Sequence, residues 1–179
     1  FEATEHDMIL VVAFSPAGRR LAATEHGQKL WLLDGGIDAA AERNLVASAR
    51  LVIWQHPLYW YGVPALLKLW FEDVLVRGWA YGDGGLTLRG KDCLWVTTTG
   101  ALPEAYSEAG VHDHAFEAFV PAVRQTARFC GMQWEPPHVV HDANAIDELR
   151  LAGHVARLRE RLAPWREPES AVVQETPAC

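Results

Sequence analysis

The chain is poor in the residues that staple small proteins together. Its 179 residues include only three cysteines, Cys93, Cys130 and Cys179, widely spaced, odd in number and without a CxxC pair. Neither a disulfide framework nor a zinc site is indicated. Cys93 and Cys130 lie in the apolar runs Cys93-Leu94-Trp95-Val96 and Phe129-Cys130-Gly131 and read as buried core thiols in a protein of a reducing compartment. Positive charge is also short. A formal net charge of −7 argues against a nucleic-acid groove, which needs a basic surface to neutralise phosphate. Small anions held by backbone amides stay open, because amides do not enter the charge count. No apolar run approaches the roughly 20 residues that span a bilayer, and the first residues lack a signal-peptide pattern. The expectation is a soluble, cytoplasmic protein.

Against these absences stand eight tryptophans and an ordinary globular composition, half hydrophobic and 22% charged. Trp54, Trp60, Trp70, Trp79, Trp95 and Trp134 crowd the middle of the chain. Wide flat side chains suit a planar aromatic ligand or a bulky dimer core, and plain core filling serves equally well for any one of them. A chain of this length fits one domain, expected over 1–165. The segment 166–179, with Pro168, Pro177 and no periodicity, is expected to be disordered or draped over a partner.

Periodicity predicts an alternation of strands and helices. Met8 to Phe14 is a continuous apolar run, the mark of a buried strand. Arg19 to His26 reads as a short helix, Lys29 to Leu33 as a short strand, and Asp38 to Ala49 as a helix. Arg50 to Gln55 is a second buried strand, halted by His56-Pro57. Pro64 opens a helix in the favoured N-terminal position, with Leu66, Leu67, Leu69, Trp70 and Val74 at helical spacing. Asp92 to Thr97 and Trp134 to Val140 complete the strands, and Phe116 to Phe129 and Ile146 to Trp165 the helices. This alternation predicts an α/β fold with a parallel sheet covered on both faces. Ligands of such sheets bind at the carboxyl ends of the strands, near the point where strand order reverses. The loops after Phe14, Gln55 and Thr97 therefore carry the functional interest.

Two of these loops are unusual. Gln55-His56-Pro57-Leu58-Tyr59-Trp60-Tyr61-Gly62-Val63-Pro64 is aromatic and rigid where a strand-end loop is normally polar. It can lay backbone N–H groups along the edge of a planar heterocycle and cover the ring with aromatic side chains; a buried hydrophobic corner is the competing reading. Thr97-Thr98-Thr99-Gly100-Ala101 combines small residues with hydroxyl and amide donors, which lets backbone approach a ligand closely.

The stretch WQHPLYWYGVPALLKLWFEDVLVRGWAYGDGG, from Trp54 to Gly85, resembles the flavodoxin-like NAD(P)H:quinone reductases. That family includes the DT-diaphorase group and, nearer still, the ancillary proteins of glutathione-regulated potassium-efflux systems. The resemblance runs on through GKDCLWVTTTG, AYSEAGVH and ARFCGMQWEPPHVVH, so it covers most of 50–142. It implies a flavodoxin-like doubly wound sheet in a single three-layer domain and a homodimer. It also implies FMN in preference to FAD, with NAD(P)H as co-substrate in a ping-pong hydride transfer to a quinone or other electrophile.

By the same resemblance, Pro57, Leu58, Tyr59, Trp60, Tyr61, Thr98, Thr99, Gly100 and Ala101 would hold the flavin. Tyr106 and His112, at the family's offsets from the turn, would hydrogen-bond its pyrimidine oxygen and stabilise the negative charge that develops there; His112 also has the intrinsic pKa to supply a proton. Trp79 and Tyr81 would line the nicotinamide or quinone slot, reaching it from the partner subunit. A second role is implied as well, that of a regulatory subunit docked on a potassium-efflux membrane protein at the inner face of the membrane, with redox activity reduced or lost. The chain departs from the family pattern in its first loop. There Phe14-Ser15-Pro16-Ala17-Gly18-Arg19-Arg20 replaces the expected His-Pro and Ser/Asn segment, leaving Ser15 as the hydroxyl for cofactor phosphate. Ala101 stands where relatives often carry a second glycine.

Overall fold

The computed structural model describes residues 9–14, 20–24, 31–32 and 37–165. Ser15 and the 166–179 segment lie outside them. Six strands form one sheet in the order β3-β2-β1-β4-β5-β6. β1 (Ile9–Phe14), β4 (Leu51–Pro57), β5 (Asp92–Thr98) and β6 (Gln133–Val140) run parallel. β2 (Arg20–Thr24) and β3 (Trp31–Leu32) are antiparallel additions at the β1 side. The expected helix over Arg19–His26 is therefore corrected: its described part, Arg20–Thr24, is a strand paired back onto β1, Phe14 opposite Arg20 and Leu10 opposite Thr24. The physical reason is length. A parallel crossover needs a dozen or more residues, whereas the five residues 15–19 suffice only for a hairpin.

Among the described residues, four α-helices lie on two faces of the sheet. α1 (Ala39–Ser48) starts at Asp38, whose carboxylate accepts from the N–H groups of Ala40 and Ala41 at 3.1 Å, a standard N-cap. α2 (Ala65–Val74) follows Pro64, and α3 (Val120–Phe129) follows a 3-10 turn over Phe116–Phe119. These three helices cover one face in a core that includes Val12, Trp54, Trp70, Trp95, Leu67, Val123 and Ala127. Trp54, Trp70 and Trp95 are wholly buried, so for these three the core-filling reading holds. The indole N–H of Trp70 donates to buried Glu42 at 2.9 Å and ties α2 to α1. On the opposite face α4 (Glu148–Leu162) sets Leu158 and Leu162 against Leu51, Ile53, Leu94 and Val96. Both cysteines of the described part, Cys93 and Cys130, are buried and free.

β6 forms one border of the sheet. Pro136 and Pro137 lie within it, and its register to β5 slips between Leu94 and Val96. Proline has no N–H for a ladder, which confines it to such borders and to bulges. No helix among the described residues is long and apolar enough to cross a membrane.

Candidate functional site

The loops at the carboxyl ends of β4 and β5 meet. Leu58 N–H donates to the Thr98 carbonyl at 2.8 Å, so the aromatic turn begins while still anchored to the neighbouring strand end. Tyr59 N–H donates to Gly62 O at 3.1 Å, and Gly62 N–H to Tyr59 O at 2.9 Å. This closes a two-residue turn with Trp60 (φ 47°) and Tyr61 (φ 62°) at its centre, both in the left-handed region. Such a turn is normally built from Asn and Gly. Two bulky aromatics there store strain, and strain of this kind gathers at functional sites. The pairing is made by the flanking residues, which leaves the N–H groups of Trp60 and Tyr61 outside it. Trp60 is 93% exposed and Tyr61 51%, so the segment is not a buried hydrophobic corner.

On the β5 side the chain folds back twice. Ala105 N–H donates to Leu102 O, His112 N–H to Ala105 O at 3.1 Å, and Asp113 N–H to Gly110 O. Gly110 makes this possible: a Cβ there would stand 2.3 Å from the Ala105 carbonyl oxygen, so only glycine lets the strands of the loop approach. The fold-back stacks the rings of Tyr106 and His112 at 4.4 Å between centroids. Tyr61 reaches the same pair across the gap, its hydroxyl 3.4 Å from His112 Nδ1 and its ring stacked on Phe119 at 5.2 Å.

Between the loops lies a cavity of about 360 Å³ lined by Leu58, Trp60, Tyr61, Gly100, Ala101, Tyr106 and His112. Its size falls in the range of small-molecule sites. His112, one of these lining residues, has its Nε2 buried without a hydrogen-bond partner. A buried polar atom without a partner costs about 1–3 kcal/mol, a penalty that a ligand removes. A larger depression, about 620 Å³, lies between α2 and α3 and includes Phe71, Leu75, Tyr81 and Phe129. No buried side-chain atom lacking a partner lies among its lining residues. We therefore place the candidate site in the smaller cavity, where donors, aromatic rings and an unsatisfied nitrogen converge.

The remaining expected residues fall in three places. Pro57 and Thr98 end their strands, half-buried, beside the cavity, and Tyr59 flanks the aromatic turn. Thr99 is buried, and its hydroxyl is engaged inside the protein: it donates to Ala101 O at 2.9 Å and lies 2.9 Å from His141 Nδ1. Trp79 and Tyr81 do not line the cavity. Trp79 packs against the main core, and Tyr81 borders the α2–α3 groove with its ring 5.0 Å from Phe129.

Three further residues shape the site and were not singled out from the sequence. His56 is buried at the root of the aromatic turn. Its Nδ1 lies 2.9 Å from the Pro57 carbonyl, and its Nε2 accepts from the Trp95 indole N–H at 2.8 Å. Burial pushes its pKa down to about 4, against the Pro57 bond, which raises it; the ring is neutral with the proton on Nδ1. His141 packs against Tyr106 at 5.3 Å, and burial lowers its pKa, opposed by Glu117 and Glu104. Asn144 sits over Gly100, where a Cβ would come within 3.1 Å of its Nδ2.

Comparison with known proteins agrees with this fold. Residues 8–162 match the Flavodoxin_2 family, described as a flavodoxin-like fold. The chain belongs to that family. The glutathione-regulated potassium-efflux system ancillary protein KefF of Citrobacter koseri is 43% identical over 134 residues, 75% of each chain. Among solved structures, general stress protein 14 of Treponema denticola in complex with FMN is 31% identical, with a TM-score of 0.63 over 74% of each chain. An NADPH-quinone reductase from P. pentosaceus is 25% identical, with a TM-score of 0.65 over 72% of this chain and 76% of its own. A protein described as a thermophilic tryptophan halogenase from Streptomycin violaceusniger is 35% identical, with a TM-score of 0.67 over 71% and 74%.

Proposed function

We propose that this chain is an FMN-dependent NAD(P)H:quinone reductase that works as a homodimer. The observation that carries the reading is the cavity between the two strand-end loops. It brings the partnerless His112 Nε2, the Tyr106 ring and the aromatic turn to one place. The residues present fit a flavin ring: Leu58, Trp60 and Tyr61 supply apolar cover, the amides of Trp60 and Tyr61 are free of the turn's pairing, and Gly100 and Ala101 supply a close backbone approach. When bound, FMN supplies two-electron chemistry between a nicotinamide and a quinone, and the protein supplies orientation and electrostatics.

The residues of the chain divide that work. His112 and Tyr106 present donors to the polar edge of the ring, where negative charge develops during the reaction, and preset donors there stabilise it without reorganisation. Tyr61, beside His112 Nδ1, helps fix the imidazole's orientation. The aromatic turn keeps water from one end of the ring. Trp79 and Tyr81 lie away from the cavity of their own chain. In a homodimer they would face the slot of the other copy and receive the nicotinamide or the quinone. The name of the FMN-bound T. denticola structure and that of the P. pentosaceus reductase support the cofactor and the activity.

A second reading draws on the KefF relatives, whose name makes them ancillary to a potassium-efflux system. The chain would then act in the cytoplasm, docked on a membrane partner, with or without redox turnover. A visible absorption spectrum of the purified protein tests the main reading. A yellow preparation that bleaches anaerobically with NADPH is expected, and a colourless protein that takes up no FMN refutes it. Co-purification with a potassium-efflux protein from detergent-solubilised membranes tests the second.

A further inference from the structure

The Thr99–Ala101 turn is bound to the segment after β6 by an unusually complete set of bonds. Thr99 N–H donates to Val140 O at 3.0 Å, Ala143 N–H to Thr99 O at 2.9 Å, and Asp142 N–H to Ala101 O at 3.0 Å. The side-chain link is more informative. The Thr99 hydroxyl has one proton, and it is directed to Ala101 O. The oxygen can therefore only accept from His141 Nδ1 at 2.9 Å, so that nitrogen carries the imidazole proton. His141 itself is held tightly. Its ring is packed by Tyr106 at 5.3 Å and by Phe116 edge-on at 5.5 Å. The next residue, Asp142, takes a left-handed φ of 58° and is ion-paired to Arg150 at 3.2 Å. The left-handed region is one that Asp tolerates, and the ion pair holds the chain directly after the imidazole.

We propose that His141 is a positioning residue for flavin binding: through Thr99 it sets the Ala101 carbonyl and the Gly100–Ala101 amides, and through ring contact it sets Tyr106. This rests on the reading above that the cavity takes FMN. His141 is absent from the cavity lining, so it acts through residues that are present in it. Because Nδ1 carries the proton in both the neutral and the charged imidazole, the link to Thr99 survives titration of the ring.

The test uses apoprotein stripped of flavin and three variants. His141→Leu removes the donor; His141→Asn keeps one at nearly the Nδ1 position; Thr99→Val removes the relay hydroxyl. FMN affinity is read by quenching of FMN fluorescence, and the folded state by the thermal midpoint of the apoprotein. Loss of one neutral hydrogen bond predicts roughly fivefold to tenfold weaker FMN binding for His141→Leu and for Thr99→Val. His141→Asn is expected within about twofold of the parent, and the double variant no weaker than either single one, since the two act on one link. Four results would overturn the proposal: unchanged affinity in His141→Leu, no rescue by Asn, losses that multiply, or a lowered thermal midpoint with affinity intact.

Failure of the parent protein to take up FMN would overturn the functional reading itself. The brace is then read in the apoprotein from the amide resonances of Gly100 and Ala101. They should move in His141→Leu and Thr99→Val but not in His141→Asn, and resonances that stay put in all three reject it.

Discussion

Replacing Trp60 with asparagine should make the protein more stable and, on the proposed flavin reading, weaken its hold on FMN. Trp60 sits at φ 47° and is 93% exposed, so its ring contributes little packing to set against the left-handed backbone. A non-glycine residue in that region costs about 1–2 kcal/mol, and asparagine relieves part of this through its own backbone hydrogen bonding. Taking about 1 kcal/mol as recovered, the thermal midpoint of the apoprotein should rise by roughly 2–4 °C for a chain of this size. Loss of the indole removes apolar cover from the cavity mouth, so FMN affinity should fall by about tenfold, the equivalent of about 1.4 kcal/mol of contact. Differential scanning fluorimetry with and without saturating FMN reads both effects. The margin by which FMN raises the midpoint should shrink while the apo midpoint climbs. An apo midpoint that falls would mean Trp60 supports the fold, and the argument from strain to function would be wrong.

The other predictions concern the loops and the dimer. Gly110→Ala places a methyl 2.3 Å from the Ala105 oxygen, so the Tyr106–His112 stack must open; steady-state turnover should drop by about a hundredfold, as a misplacement of about 1 Å can cause, and turnover near the parent value would contradict the close approach. His56 favours its neutral form, with a pKa lowered from 6.5 to about 4. The unfolded chain then binds more protons between those values, so stability falls as pH drops through that window, by up to about 3 kcal/mol from this residue. Urea unfolding from pH 6.5 to 4 should show that loss, and His56→Gln should flatten it; parallel curves for the two proteins would refute the assignment. If Tyr81 serves the slot of the other copy, Tyr81→Ala and His112→Phe are each inactive alone, yet mixing them after dissociation should restore about a quarter of parent activity, because half of the dimers gain one intact site. No recovery would mean that Tyr81 does not serve the slot of the other copy.

The residues that declared themselves in the sequence are those whose chemistry is local. An aromatic turn with prolines at both ends, and a Thr-Gly turn after an apolar strand, are visible as composition, and both line the cavity. The parallel order of β1, β4, β5 and β6 follows from alternation along the chain. Arg19–His26 misled because its propensity is helical, while the short connection around it leaves room only for a hairpin; length outweighed propensity. His56, His141 and Asn144 act through partners 39, 42 and 44 residues away, at Trp95, Thr99 and Gly100. No spacing along the chain marks such pairs, since the register of β4, β5 and β6 creates them. Thr99 was legible as part of the turn but not in its task, which depends on where its single hydroxyl proton goes.

The borders of the sheet limit how copies of this protein can associate. At one end β3 spans two residues, and at the other Pro136 and Pro137 interrupt β6. Among the described residues, a strand arriving from another molecule at the β6 border would meet two consecutive residues, Pro136 and Pro137, with no N–H to offer. The β6 border is therefore a poor template for growth of the sheet from molecule to molecule.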